Sequence, residues 1–220
     1  MSDAPGHDNT SGFSRRAFLR GSGMTAAAAA VGSTTALAEA AEAQGKHQDI
    51  HVFGPKAVTV TLQVNGKEVK TKVEPRVTLL DALRNYLDVT GKYVDVTGCK
   101  RVCDRGSCGA CTVLLDDKPI YACTMLALDA QGRKVRTAES LADGGRLDAV
   151  PAAFVHADAQ QCGFCTPGFV VAMRAAFNKN PNATPAEIEE GLAGNICRCG
   201  TYQQMRDAIA ELCKTQGKGE

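Results

Sequence analysis

The chain has 220 residues, with 25 Lys and Arg against 24 Asp and Glu and a formal charge of +1. This balance argues against nucleic-acid binding, because such proteins neutralise phosphates with clustered basic side chains. With 44% hydrophobic and 22% charged residues, the composition favours a folded protein of one or two domains over a disordered chain. No apolar run reaches the roughly 18 residues of a membrane span, so we also expect no stable membrane insertion.

The first 38 residues have the order of features found in an export signal. A polar start leads to Arg15 and Arg16, and a mildly apolar run then ends at Ala38 in an A-x-A pattern. We interpret residues 1–38 as a twin-arginine signal peptide, which predicts contact with the twin-arginine export machinery and a periplasmic location. The alternative is an Ala-rich amphipathic helix with a chance arginine pair.

The ten cysteines all follow residue 98, and most of them occur in close pairs. In an exported chain, an even number of cysteines would ordinarily indicate disulfides. The twin-arginine pathway is associated with proteins that fold, and often bind cofactors, before export. Cysteines already bonded to a metal would therefore be protected in the oxidising compartment.

The segment after the leader predicts a linker and then a small hairpin. Residues 39–56 are polar and lack periodicity, which is typical of a linker or arm. Alternating apolar residues over 58–64 and the stretch 67–73 predict two strands joined by the Asn-Gly turn at 65–66. The leucine stripe over 79–87 predicts a helix, for which the preceding threonine is a suitable start.

The rest of the chain changes from strands to helices. After a glycine- and cysteine-rich segment, residues 112–115 and 119–126 predict two further strands around a turn. Beyond residue 137, with Thr184 and Thr201 as candidate N-caps, helical spacing recurs in four segments: 149–159, 168–178, 186–193 and 202–214. The sequence therefore predicts an α+β protein with a strand-rich part followed by a small helical bundle.

The first cysteine group has the spacing C-x4-C-x2-C-x11-C and consists of Cys103, Cys108, Cys111 and Cys123. This is the plant-type spacing for a [2Fe–2S] cluster. Glycines within the loop allow the backbone conformations that bring three thiolates together. A zinc site would more often present two C-x2-C knuckles, and disulfides give no reason for a three-cysteine loop.

The second cysteine group consists of a C-x2-C pair, Cys162 and Cys165, and a C-x-C pair, Cys197 and Cys199. Each pair directly precedes a predicted helix, so two helix N-termini would face four thiolates and the anionic cluster that they hold. Taken alone, this set is also compatible with zinc. Beside a ferredoxin-like loop, a second [2Fe–2S] cluster is the interpretation that we favour.

Three motifs carry a resemblance to a known family. The sequences G-A-C-T-V at 109–113, Q-C-G-F-C-T-P-G at 161–168 and N-I-C-R-C-G-T-Y at 195–202 resemble those of the iron–sulfur subunit of the molybdenum hydroxylases. This is the xanthine dehydrogenase and aldehyde oxidoreductase family. The resemblance covers about residues 57–214, and the leader narrows it toward the small subunit of a periplasmic aldehyde oxidoreductase.

The resemblance implies a fold and a set of partners. The fold would be a plant-ferredoxin-like β-grasp domain over 57–137 followed by a C-terminal four-helix bundle over 138–220. A molybdenum-binding large subunit would hold the molybdopterin cofactor, and a second partner subunit would hold FAD. The large subunit would convert an aldehyde and water to a carboxylic acid. This chain, with no catalytic residue of its own, would relay the electrons through two [2Fe–2S] clusters to FAD.

The resemblance also implies roles for single residues. The first cysteine group would hold the distal cluster, which faces the flavin, and the second group the proximal cluster, nearest the molybdopterin. Gln161 resembles the family residue that hydrogen-bonds the pterin, and Cys199 would lie beside it. Cys99 and Val102 depart from the family's first loop, where a hydroxyl residue and a glycine are usual. We expect Cys99 to be a non-ligand, and we do not expect a disulfide between it and Cys213.

Three alternative functions stay open. A free-standing ferredoxin carrier would dock transiently, but it would need no second helical domain. An exported domain with structural zinc or disulfides would lack the brown colour of iron–sulfur proteins. A relay that serves an N-heterocycle or xanthine hydroxylase would look the same in this chain, because the substrate pocket lies in the large subunit.

Overall fold

The computed structural model describes residues 53–87 and 96–216. The predicted signal peptide and nearly all of the predicted arm lie outside these residues. Within the described part, no helix is long and apolar enough to cross a membrane. The described chain is α+β, as the sequence predicts.

The strands precede most of the helices. The strands are β1 (Val58–Val64), β2 (Lys67–Val73), β3 (Thr112–Leu115), β4 (Lys118–Tyr121), β5 (Lys134–Arg136), β6 (Ala142–Asp143) and β7 (Arg146–Leu147). The helices are α1 (Leu79–Asp81), α2 (Ala149–His156), α3 (Thr166–Lys179), α4 (Pro185–Gly191) and α5 (Tyr202–Gln216).

Five strands form one sheet in the order β2-β1-β5-β3-β4. β1 and β2 pair antiparallel across Asn65 and Gly66, whose φ angles are 50° and 77°, as a type I′ hairpin turn requires. The apolar side chains of β1 point inward as predicted, and Val60, Leu62 and Val64 are fully buried. β5 lies parallel to β1 and antiparallel to β3, so it joins the two hairpins into one sheet.

Two details of the sheet differ from the prediction. β4 ends at Tyr121 and does not continue to residue 126, because the Thr124 amide donates back to the Tyr121 carbonyl at 3.0 Å and turns the chain. The sequence analysis does not predict β5, since three residues are too few to show an alternating pattern. The early end of β4 matters because the turn that replaces it carries Cys123.

The predicted helix after Thr78 forms, but its geometry changes. The Thr78 hydroxyl accepts a hydrogen bond from the Asp81 amide at 3.1 Å and starts α1 as predicted. The following turn, Ala82–Tyr86, is π-helical. Thr71 of β2 donates its hydroxyl to the Tyr86 carbonyl at 3.0 Å. The sheet thus satisfies a carbonyl at the helix end that would otherwise lack a partner.

Helices α2 to α5 pack around a second apolar core. α3 and α5 each contact both α2 and α4. α4 begins with a capping box, in which the Thr184 hydroxyl accepts from the Glu187 amide and the Glu187 carboxylate accepts from the Thr184 amide. α3 also packs on β3 of the sheet, where Leu114, Val171 and Ala175 form a small buried cluster. The largest residues of the helical core are Phe154, Phe169, Met173, Phe177, Ile188 and Ile209.

A partly buried carboxylate anchors the start of the first cysteine loop. Glu139 accepts hydrogen bonds from the Thr97 and Gly98 amides at 2.7 and 2.6 Å. Burial acts to raise the pKa of Glu139, but hydrogen bonds from the Thr137 hydroxyl and from these amides outweigh it, so the pKa is lowered. The carboxylate therefore stays charged at neutral pH and ties the segment after β5 to the loop.

Candidate metal centres

The first cysteine group lies on the loop before β3 and on the turn after β4. Two of its four thiols are buried and two are partly exposed. The Gly106 amide donates to Cys123 Sγ at 3.2 Å, and the Ser107 amide donates to Cys103 Sγ at 3.3 Å. These bonds close the loop over the turn. The fold therefore brings the predicted first ligand set together beside the sheet.

The four thiols of the first centre interact in two pairs. Cys103 is hydrogen-bonded to Cys108, and Cys111 to Cys123. The amide of Arg105, followed by other loop amides, lowers the pKa of Cys103 to about 6. Burial raises the pKa of Cys111 to about 12. The loop amides thus already stabilise negative charge on sulfur, as the ligands of an iron–sulfur cluster require.

The second cysteine group is built from the starts of two helices. Cys165 is the residue before α3, and Cys197 and Cys199 lie just before α5. Cys162 and Cys199 are exposed, whereas Cys165 is half-buried and Cys197 is buried. The Cys165 thiol donates a hydrogen bond to Cys197, so the C-x2-C and C-x-C pairs meet as predicted.

The start of α5 stabilises one sulfur of this centre. Burial acts to raise the pKa of Cys197, but hydrogen bonds from the Thr201 hydroxyl, the Thr201 amide and other donors outweigh it and lower the pKa to about 7. Thr201 Oγ1 lies 3.2 Å from Cys197 Sγ. Burial raises the pKa of Cys165 to about 12. The helix N-terminus therefore supplies donors to a thiolate at Cys197.

The paired thiols of the first centre match the ligand arrangement of a two-iron cluster. Across residues 53–87 and 96–216, no group of three or more His, Cys, Asp or Glu side chains is arranged to hold one metal ion. In a [2Fe–2S] cluster each iron takes two cysteine ligands, so two thiol pairs are the arrangement that it needs. The ligand assignment of the eight cysteines stays a prediction, and the pairs 103–108, 111–123 and 165–197 are the thiol contacts that support it.

The surface beside the second centre is open and partly apolar. Gln161 and Cys199, the two residues predicted to lie beside the pterin, are both exposed, and their contact with a pterin stays a prediction. Phe164 is 50% exposed and Ile196 is 52% exposed. Lys100 Nζ lies 5.6 Å from the centroid of the Phe164 ring, so the first loop also reaches this surface.

The remaining two cysteines join neither group, and Cys213 lies near the far end of α5, where its Sγ donates to the Ala183 carbonyl at 3.4 Å. Cys99 and Cys213 are both free thiols in the described protein, and the expectation that they form no disulfide stays a prediction. Cys99 is buried and its Sγ donates to the Cys111 carbonyl at 3.5 Å. Val102, which stands where the family usually has glycine, is 55% exposed.

One set of contacts that the sequence analysis missed joins the two centres, and we call it the inter-centre clamp. The Ile196 amide donates to the Cys108 carbonyl at 3.0 Å. The buried Asn195 donates from Nδ2 to the Gly109 carbonyl at 3.0 Å. Gly168 of α3 packs so closely that a Cβ there would lie 2.5 Å from the Gly109 carbonyl oxygen. No local pattern signals such contacts, because Asn195 and Gly109 are 86 positions apart.

Known proteins are similar to this chain in sequence and in fold. Residues 137–210 match the family model of a [2Fe-2S] binding domain. The chain is 36% identical over 214 residues to the aldehyde oxidoreductase iron-sulfur-binding subunit PaoA of Escherichia coli O157:H7, a match that covers 90% of this chain and 87% of that protein. The chain belongs to the iron–sulfur subunits of the molybdenum hydroxylases.

Other molybdenum hydroxylases are similar at a comparable sequence identity. The gamma subunit of caffeine dehydrogenase from Pseudomonas sp. (strain CBB1) is 39% identical over 159 residues, covering 71% of this chain and 91% of that protein. The crystal structure of quinoline 2-oxidoreductase from Pseudomonas putida 86 superposes with a TM-score of 0.66 at 36% identity, covering 75% of this chain and 99% of that chain. This chain is therefore an electron-transfer subunit of a molybdenum hydroxylase.

Because of the inter-centre clamp, we expect loss of the Asn195 side chain to lower the stability of the protein. Replacing Asn195 with Ala removes the donor to the Gly109 carbonyl and leaves space in a buried contact, so we expect a loss of about 1–3 kcal/mol in the free energy of unfolding. Urea unfolding of the iron-loaded chain measures it. Asn178→Ala, at an exposed position in α3, is the control and should change stability little. Equal stability of the two variants would contradict a structural role for the clamp.

Proposed function

We propose that this chain is the electron relay of a periplasmic, molybdenum-dependent aldehyde oxidoreductase. The observation that carries the relay is the direct bond between the centres, from the Ile196 amide to the Cys108 carbonyl at 3.0 Å. Ile196 precedes Cys197 in the chain, so a ligand of each proposed cluster takes part in, or adjoins, this bond. We assign the strand-rich part, 57–137, to a ferredoxin-like β-grasp domain and 138–220 to a four-helix bundle.

Eight cysteines would hold the two clusters. A [2Fe–2S] cluster bound at each centre would accept and pass on one electron at a time. Cys103, Cys108, Cys111 and Cys123 would hold the distal cluster. The proximal cluster would be held by Cys162, Cys165, Cys197 and Cys199. The loop amides of the first centre and the helix starts of the second would stabilise the negative charge on the sulfurs.

The exposed parts of the two centres supply docking faces for the partner subunits. Phe164 and Ile196 form an apolar surface beside Cys162 and Cys199, which the large, molybdenum-binding subunit would cover. Gln161 would there donate to the pterin. The FAD-binding subunit would cover the distal centre around Val102. Covering both centres would exclude water and so influence their reduction potentials.

Aldehyde oxidation is the reaction that we propose for the assembled enzyme. The aldehyde and water would give a carboxylic acid, two protons and two electrons, and this chain would carry only the electrons. The match to PaoA supports this choice because of its length. It covers 90% of this chain, which is a larger share than residues 53–220 make up. It therefore extends into the N-terminal segment, whereas the match to the caffeine dehydrogenase subunit covers 71%.

A relay for an N-heterocycle hydroxylase is the second candidate. The caffeine dehydrogenase subunit and quinoline 2-oxidoreductase are similar to this chain at 39% and 36% identity. Caffeine and quinoline, for which these two enzymes are named, are both N-heterocycles. Activity of the purified complex with benzaldehyde, compared with activity on quinoline, separates the two candidates. Turnover of quinoline alone would contradict the aldehyde proposal and leave the relay intact.

Loss of one proximal ligand should stop electron transfer. In a Cys162→Ser complex we expect iron to fall from about four to about two per chain and aldehyde-dependent reduction of an artificial acceptor to be lost. Cys213→Ser, which changes a half-buried thiol outside both centres, should keep iron and activity. If the Cys162→Ser complex loses about half of its iron but keeps full activity, electrons bypass the proximal centre.

Export by the twin-arginine pathway can be tested separately. We propose that the pair Arg15 and Arg16 directs the folded, iron-loaded chain to the periplasm. Replacing both with Lys should leave the chain in the cytoplasm with its iron, whereas the control Arg20→Lys should still be exported. Cell fractionation and immunoblotting give the result. Periplasmic delivery of the double variant at the normal level would contradict this proposal without affecting the relay.

A further inference from the structure

Two threonines occupy equivalent places in the second centre. Thr166 directly follows Cys165 at the start of α3, and Thr201 lies two positions after Cys199 at the start of α5. Each hydroxyl therefore sits where a helix N-terminus meets a pair of cysteines. Neither residue is assigned a role by the ligand set proposed above.

Thr201 is placed to donate a hydrogen bond to a ligand sulfur. The residue is 1% exposed, and its Oγ1 lies 3.2 Å from Cys197 Sγ. In the free thiol either atom can be the donor. A thiolate bonded to iron carries no hydrogen, so in the loaded protein the Thr201 hydroxyl must donate and the sulfur must accept.

Thr166 differs from Thr201 because its hydroxyl has no hydrogen-bond partner among the described residues. Its Oγ1 is also shielded from solvent. Burying a hydroxyl in this way is unfavourable unless an acceptor is available. A cluster held by the adjacent Cys165 would bring sulfur atoms to the same helix start and would offer this hydroxyl an acceptor.

The first centre differs in the kind of donor that it uses. The hydrogen bonds to Cys123 Sγ and Cys103 Sγ come from the backbone amides of Gly106 and Ser107. The Thr112 hydroxyl, which also lies in that region, donates instead to the Gly109 carbonyl at 2.6 Å. At the second centre, by contrast, the side-chain hydroxyl of Thr201 lies within hydrogen-bond distance of a ligand sulfur.

We propose that Thr166 and Thr201 are positioning residues that donate hydrogen bonds to the sulfurs of the second cluster and so raise its reduction potential. Hydrogen bonds to sulfur stabilise the reduced cluster, which carries one more negative charge, and are among the factors that set cluster potentials. The inference rests on the proposed function, because it needs a cluster at Cys162, Cys165, Cys197 and Cys199. It predicts that the two centres respond differently to the loss of these hydroxyls.

The test is an EPR-monitored redox titration of the whole complex with Thr166→Val and Thr201→Val. Valine keeps the shape of threonine and removes the hydroxyl, while Thr166→Ser and Thr201→Ser keep the hydroxyl. The Cys162→Ser complex shows which EPR signal belongs to the second cluster. We expect each Val variant to shift the midpoint potential of that signal to a more negative value and to leave the other signal in place. The Ser variants should titrate close to wild type.

The Thr201→Val variant could fail to assemble the cluster. Thr166→Val then still tests the proposal. It breaks no hydrogen bond of the described protein, so the variant should fold and retain its iron. An unchanged midpoint potential in Thr166→Val, at full iron content, would overturn the proposal. Equal shifts of both signals would also overturn it. Absence of iron from the wild-type complex would instead overturn the proposed function, so the two failures are distinguishable.

Discussion

The contact between the two cysteine loops is the constraint on which the relay depends. The Ile196 amide donates to the carbonyl of Cys108, and Asn195 and Gly168 both contact the neighbouring carbonyl of Gly109. Substitution of Gly168 by a larger residue would push a side chain into the Gly109 carbonyl oxygen. Because both loops are tied to folded cores, the clamp fixes the separation of the two centres, and electron transfer between clusters depends on that separation.

Each centre combines irregular backbone with a rigid support. The first loop needs positive φ angles at Gly106 and Gly109, which are 74° and 70°, and such angles are costly for residues other than glycine. Its free amides then point at sulfur. The second centre adds two helix starts, where unpaired amides are available, and it too has positive φ angles, 76° at Gly163 and 85° at Gly200. The sheet and the helical core therefore each hold one set of four thiols.

Sequence patterns predicted the parts of the structure that depend on neighbouring residues. The Asn65-Gly66 turn, the helix start at Thr78 and the capping box at Thr184 all form as their local chemistry requires. Cysteine spacing likewise indicated which thiols would meet. β5 and the clamp could not be found in this way, because they join distant segments. Pairing across 86 positions, as between Asn195 and Gly109, leaves no periodic or spacing signal in one sequence.

The central claim is that this chain carries two [2Fe–2S] clusters within a molybdenum hydroxylase. The most direct test is the metal content of the native complex, captured through a C-terminal tag on this chain and counted as iron and molybdenum per copy. The account predicts about four iron atoms, two for each four-cysteine set, with about one molybdenum from the large subunit. Iron without molybdenum would contradict the assembly, and a complex without iron would contradict the role of the cysteines.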